Sequence, residues 1–237
     1  MSRADLALLA PHLRPVALAL HQKLETANAR IGHAYFIEEG IASVIAVGPQ
    51  QRRIEVGLIG PEGLTALTVV LGNHRSPNAT FVQAAGEAQR IGVGDLRKAM
   101  AASRTLHALF MRYALVFMTQ TAQTAVANGR ATLEERLARW ILMAQDRVGR
   151  NRMPLTHAFL ALMLGVRRAG VTDTLNKLEG EGLIRALRGE VIVLDRGALE
   201  QRASQSYGVP EAEYRRLIGR SGRADELPRR SAARLSA

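Results

Sequence analysis

The chain has 237 residues, 47% of them hydrophobic and only 4% aromatic, so it can hold one large domain or two modest ones around an aliphatic core. The absence of cysteine removes disulfides, thiolate metal sites, iron–sulfur clusters and cysteine nucleophiles together, and fits a reducing compartment. The net charge of +11 leans toward the C-terminal half (12 Lys/Arg against 8 Asp/Glu in residues 1–128, 20 against 13 in 129–237), which points to a polyanionic partner or, more plainly, to the Arg-rich composition of a high-GC genome.

No apolar run reaches the length of a membrane span, and the N-terminal stretch carries Asp5 and no cleavage-site pattern. The expectation is a soluble, cytoplasmic protein without a membrane partner. Residues 3–26 read as helical, with Leu6, Leu9 and Leu13 on one side and interruptions at Pro11 and Pro15. From Tyr35 the texture changes to short β-branched runs punctuated by Gly and Pro: "YFIEEGIASVIAVG", "RRIEVGLIG" and "ATFVQAAGEAQRIGV". Strands of this length suggest a small antiparallel sandwich or barrel.

Near Arg104 a long helical period begins. Leu106, Phe110, Tyr113, Phe117, Gln120 and Thr124 alternate four and three apart, the spacing of a coiled-coil seam. That seam is expected to hold two copies together; the alternative is a core helix within one chain. Asn128 and Gly129 read as its break. Thr132 with Glu135 three residues on forms a capping box for a second helix, whose apolar face is Leu133, Leu137, Trp140, Ile141 and Ala144. "NRMPLT" reads as a linker.

The stretch "LTHAFLALMLGVRRAGVTDTLNKLEGEGLI" follows, from Leu155 to Ile184. Thr156 can cap a helix through Leu160 and Leu164, and Gly165 can take the left-handed conformation that ends it. A second helix starts near Arg167, with Val171, Leu175 and Leu178 as its buried stripe, and closes around Gly182. "RALRGEVIVLD" then reads as a hairpin turning at Arg188–Gly189. Two helices joined by a tight Gly turn and followed by a β-wing make a winged helix-turn-helix, whose second helix enters the DNA major groove. Arg167 and Arg168 sit at the positive end of that helix dipole, a poor place for cations unless that end meets phosphates and guanine edges. The tail 220–237 lacks periodicity and reads as disordered and basic.

On these residues the sequence resembles the Crp/Fnr family of bacterial transcription regulators, over roughly residues 5–200. The resemblance implies an α+β fold: an N-terminal antiparallel β-roll of the cyclic-nucleotide-binding jelly-roll kind over 1–103, a dimerisation helix over 104–128, and a winged helix-turn-helix over 129–219. "YFIEEGIASVIA" matches the family's hairpin. Position by position, Arg168 matches the guanine-reading arginine, and Ala169 stands where many members have a cytosine-reading glutamate. Asp173 falls at another base-facing position, and Arg167 replaces the usual Ser or Thr cap. Thr156 and His157 match phosphate-contacting positions, and Arg188 in the wing is a further phosphate candidate. Thr172 and Lys177 complete the expected DNA-binding set.

The effector segment departs from the family. Its ribose-holding Gly-Glu pair becomes Thr65–Ala66, and its phosphate-binding Arg becomes Asn78 followed by Ala79. A shifted pocket would draw on Glu62, Gly63, Arg75, Ser76 and Thr121. Loss of a buried arginine would forfeit the charge-assisted bonds of a cyclic phosphate, so cyclic-nucleotide binding is not expected. The sequence therefore predicts a homodimer on double-stranded DNA at an inverted repeat, with RNA polymerase as a further candidate partner and with no cofactor or metal. Neither Gly-x-Ser-x-Gly, His-Glu-x-x-His nor a phosphate loop is present, so no catalytic residue is expected. The alternative is a cyclic-nucleotide-responsive regulator using the shifted arginine, or a nucleotide-binding module acting on a protein partner.

Overall fold

The computed structural model of the chain describes residues 1–48 and 53–219; the predicted basic tail lies outside them. Helix α1 (Arg3–Leu9) opens with a reciprocal cap between Ser2 and Asp5. The helical reading of residues 3–26 holds no further than a 3-10 turn over Ala10–His12. Arg14–Leu18 form strand β1 and Lys23–Glu25 form β2. The prolines close the helical option, and non-local pairing decides the rest: β1 lies antiparallel to a strand far along the chain, with Arg14 opposite Arg90.

Strands β3 (His33–Ile37), β4 (Ile41–Val47), β5 (Arg53–Ile59), β6 (Ala79–Ala84) and β7 (Gly86–Gly92) complete a two-sheet roll. One sheet runs β1-β7-β3 and the other β2-β6-β4-β5, with antiparallel pairing throughout. The hairpin expected at "YFIEEGIASVIA" is instead a crossing between sheets, because β3 pairs with β7 while β4 pairs with β5 and β6. Gly40 turns the corner at φ 91°, where a Cβ would stand 2.4 Å from the Ala84 carbonyl oxygen. A short helix α2 (Leu67–Val70), unsignalled in the sequence, sits between β5 and β6.

Helix α3 (Val93–Ala102) leads to α4 (Arg104–Arg130), capped by Ser103, whose hydroxyl also donates to Asp5 at 2.6 Å. Helix α4 runs straight through Asn128–Gly129 and ends at Ala131, so the expected break comes later. The predicted seam is turned inward. Leu106, Phe110, Tyr113 and Gln120 are buried in the chain's own interior, and Phe117 and Thr124 are partly buried beside them. The Gln120 side chain is spent on both backbone groups of Leu58, accepting from its N–H and donating to its carbonyl. Tyr113 and Phe117 lie against Gly63 and Gly57, where added Cβ atoms would fall 1.8 Å from the Tyr113 hydroxyl oxygen and 2.7 Å from the Phe117 ring. Of the two readings of that seam, the core helix within one chain is the one these contacts fit. The outward face carries a different set, Met111, Leu115, Met118 and Val126, each at least 42% exposed, with Ala108, Ala122 and Ala125 exposed between them.

Helix α5 (Leu133–Val148) starts on the Thr132–Glu135 capping box. The "linker" after it is strand β8 (Arg152–Pro154), then come α6 (His157–Leu164), α7 (Arg168–Gly180), β9 (Ile184–Leu187), β10 (Glu190–Val193), α8 (Arg196–Ala203) and α9 (Val209–Ile218). The wing is three-stranded, with β10 between β8 and β9. One continuous core joins the roll's Ile41, Ile45 and Leu58 to Trp140, Ile141 and Leu160 of the C-terminal half. Among the described residues no helix is long and apolar enough to cross a membrane.

Candidate nucleic-acid interface

Thr156 is the N-cap of α6, its hydroxyl accepting from Phe159 N at 3.2 Å. Gly165 ends the helix at φ 64°, and the N–H of Val166 returns to the Ala161 carbonyl, the Schellman pattern. Helix α7 begins three residues on, and Val171, Leu175 and Leu178 are completely buried against α5. Trp140 and Phe159 pack edge to face beneath them, centroids 6.0 Å apart. This apolar seat fixes the turn angle and so sets which side of α7 faces out.

The exposed side carries Arg168, Ala169, Asp173, Asn176 and Lys177, with Thr172 half-buried. Arg167 is the N-cap, and its side chain caps nothing. Neither Arg167 nor Arg168 takes part in an ion pair among the described residues, and both are exposed. Arg168, seven residues before the buried Leu175, escapes burial because it lies in the first turn. The first N–H groups of α7 are thus left without a side-chain acceptor, and two guanidinium groups stand beside them: an end suited to anionic oxygen.

The other expected contacts divide. Arg188, at the wing tip beside Gly189, is exposed, as is Thr156. His157 is half-buried and its Nδ1 lies 2.9 Å from the Thr172 hydroxyl, which itself donates to the Arg168 carbonyl. That pair ties α6 to α7. Lys177 is turned to Glu134 on α5, which also binds Arg202, and Arg202 in turn binds Glu181. These cations hold the Glu134 carboxyl below its usual range. Lys177 belongs to this surface lattice. Asn176 is not in the expected DNA-binding set, although the helical period already places it on the outer side; seven residues after Ala169, it falls on the same exposed face, and an amide there has the two-pronged chemistry of adenine. The helical period was a sufficient signal for it.

The shifted effector set is not assembled. Glu62 pairs with Arg147, Nε to Oε1 2.9 Å, and both are nearly buried. Gly63 lies under Tyr113. Arg75 is exposed, while buried Ser76 accepts from Asn78 N at 3.0 Å, and Thr121 donates to its own helix at Phe117. Arg75, Ser76 and Thr121 line neither of the two cavities that Glu62 borders. At Thr65–Ala66 an internal carboxylate takes the polar groups instead. Glu25 accepts from Ala66 N at 2.5 Å and from Thr80 Oγ1 at 3.2 Å, and burial raises its carboxyl above the ordinary range.

The Crp-like helix-turn-helix domain family matches residues 135–202. No curated protein matches the chain. Among solved structures, FixK2 of Bradyrhizobium japonicum superposes with a TM-score of 0.71 at 14% identity, over 81% of this chain and 98% of that one. A Crp/Fnr-family transcriptional regulator of Eubacterium rectale gives 0.66 at 17%, over 86% and 95%. The c-di-GMP-responsive global regulator CLP of Xanthomonas campestris gives 0.62 at 16%, over 81% and 99%. The chain therefore has the fold of the Crp/Fnr transcription regulators, and its residues 135–202 are a DNA-binding helix-turn-helix of the Crp-like family.

Proposed function

We propose that the chain is a homodimeric, sequence-specific transcription regulator that lays α7 in the major groove of an inverted-repeat operator, N-terminal end first. The observation that carries this reading is the uncapped, unpaired end of α7 with Arg167 and Arg168 exposed on it. Arg168 reads guanine, and Arg167, Thr156 and Arg188 hold phosphates and so set register. Ala169 meets a thymine methyl, which separates this operator from those of glutamate-bearing relatives, and Asn176 adds an adenine contact. Asp173 borders that surface and repels phosphate.

The dimer forms through the outward face of α4, where Met111, Leu115 and Met118 continue a four-three spacing in a phase different from the buried seam. Residues 1–103 act as the sensing half, 104–128 as the dimer element and 129–219 as the DNA-binding half, with RNA polymerase as the partner met at a promoter. The roll takes no cyclic nucleotide in this reading, since Glu25 already occupies Ala66 N and Arg75 faces solvent.

Selection of duplexes by the purified full chain, followed by titration at several salt concentrations, tests the reading. An inverted-repeat site should emerge, with affinity falling steeply as salt rises. Arg168→Ala should reduce the preference for that site over random duplex by roughly 5- to 100-fold, and Arg188→Ala should weaken both alike. Equal binding of selected and random duplex by wild type and variant would reject specific readout. Calorimetry with cyclic AMP, cyclic GMP and cyclic di-GMP tests the roll, and saturable heat from any of them would reinstate a nucleotide-responsive regulator.

A further inference from the structure

A cavity of about 140 Å³ lies where the loop after β5, the middle of α4, the end of α5 and helix α9 meet. It shares no residue with the exposed face of α7 or with the Thr65–Ala66 corner. A space of roughly 150 Å³ suffices for one benzene ring. Aromatic residues are scarce in this chain, yet three of its four tyrosines, Tyr113, Tyr207 and Tyr214, line the cavity together with Phe117.

The buried charges around it are paired in place, and Arg215, which also lines it, is exposed to solvent and in no ion pair among the described residues. Arg147 is paired with Glu62, and its two Nη groups donate to the carbonyls of Met143 and Leu58. Arg196 is paired with Asp146 at 2.9 Å and also donates to the Tyr207 hydroxyl. Two polar groups keep spare capacity. The Tyr113 hydroxyl, on a side chain only 5% exposed, has no hydrogen-bond partner among the described residues. The Glu211 carboxyl accepts one bond, from Gly208 N at 3.1 Å, and burial holds it toward its neutral form. A charged ligand would find the buried ions already paired and only the solvent-exposed Arg215 to meet it, whereas a neutral ring with a hydroxyl would meet aromatic walls and two polar groups ready to exchange hydrogen bonds.

We propose that this cavity is an effector site for a small, neutral, single-ring phenolic molecule, seated among Tyr113, Phe117 and Tyr214 with its hydroxyl on Tyr113 and Glu211. The walls come from the roll, from the α4 helix and from the C-terminal helices. A ligand that touches all three binds only the arrangement in which they meet, and so shifts the population of domain arrangements toward it. The regulatory consequence rests on the DNA-binding reading above; the binding itself does not.

Calorimetry and proton NMR on the full chain without DNA, with phenol as probe, read the binding alone, so its failure leaves the operator experiment untouched. Saturable binding at one site per chain is expected below about 5 mM, well inside the affinity range open to a seven-atom ligand. Tyr113→Phe should weaken it by about tenfold, the loss of one buried hydrogen bond, and Val116→Phe, which fills the cavity, should abolish it with the far-UV spectrum unchanged. Benzoate and benzylamine should bind at least about tenfold more weakly than phenol. Absence of saturation with phenol, undiminished binding by both variants, or benzoate binding as well as phenol would each overturn the proposal.

Discussion

Glu55 offers the most direct test of how the roll is joined to the DNA-binding half. Its carboxyl is enclosed where β5 meets α5. One oxygen accepts from Trp140 Nε1 at 2.7 Å and the other lies 2.7 Å from Ser43 Oγ, which also contacts Gln83 Oε1. If Glu55 is ionised, the single Ser43 proton faces two acceptors. If it is neutral, its own proton goes to Ser43 and the Ser43 proton to Gln83, and every bond has one donor. Burial accordingly raises this carboxyl from 4.5 to about 7. Below the unfolded value the acid is neutral in both states and nothing is lost. As pH rises, the unfolded chain releases its proton first, so the folded state loses stability until the folded acid ionises near 7. The loss is about 3 kcal/mol at pH 8 from this shift. Glu55→Gln carries the same donor and acceptor as the neutral acid and has no proton to release. Urea unfolding of both proteins at one fixed concentration from pH 5 to 8 should show a gap in favour of the variant that is under about 1 kcal/mol at pH 5 and widens to about 3 kcal/mol at pH 8. Glu25 and Glu211 also have raised carboxyls, but they act equally on both proteins, so the difference isolates Glu55. Parallel curves across the range, or a variant less stable at pH 8, would refute the assignment of a neutral Glu55.

Leu115→Glu places a charge on the outward face of α4 without touching the core, so sedimentation should show a monomer with an unchanged far-UV spectrum and a large loss of operator affinity. Gly63→Ala drives a methyl to within 1.8 Å of the Tyr113 hydroxyl oxygen and should destabilise the chain by about 1–3 kcal/mol in a denaturant titration. Thr132→Ala removes the side-chain half of the α5 capping box and should cost about 1 kcal/mol, seen as a lower Tm with operator preference retained.

The winged helix was legible in the sequence because its signals are local. Thr156, Gly165, Gly182 and Gly189 each dictate the backbone at their own position, and the left-handed φ of all three glycines agrees with the turns expected there. The first strands were not legible for the opposite reason. Nothing within Arg14–Glu25 distinguishes a strand from a broken helix; the decision is made by β7 and β6, which arrive far later in the chain to pair with it, Arg90 opposite Arg14 and Thr80 opposite Glu25. β8 is a similar case: three residues around a proline become a strand only because β10 offers an edge. The Thr65–Ala66 corner was not legible because the group that fills it, Glu25, is remote in sequence from Ala66 and no spacing links the two.

Helix α4 shows a subtler limit. Leu106, Phe110, Tyr113, Phe117, Gln120 and Thr124 keep a four-three alternation, and so do Ala108, Met111, Leu115, Met118, Ala122 and Ala125. Leu115 stands nine residues beyond Leu106, and at 3.6 residues per turn nine residues is two and a half turns, so the two rows lie on opposite sides. Both rows satisfy the periodicity of a seam, and the larger, more aromatic row attracts the assignment. Size is the wrong criterion here. The roll presents Gly57 and Gly63 to this helix, and only bulky side chains such as Phe117 and Tyr113 fill the space over residues without a Cβ. The smaller row of Met, Leu and Ala then stays exposed, and its alanines leave room for the close approach of the proposed second copy. The glycines of β5 and its loop thus determine which face of α4 stays exposed and open to the proposed second copy, and a row of large residues facing glycines in the preceding domain marks the inward side.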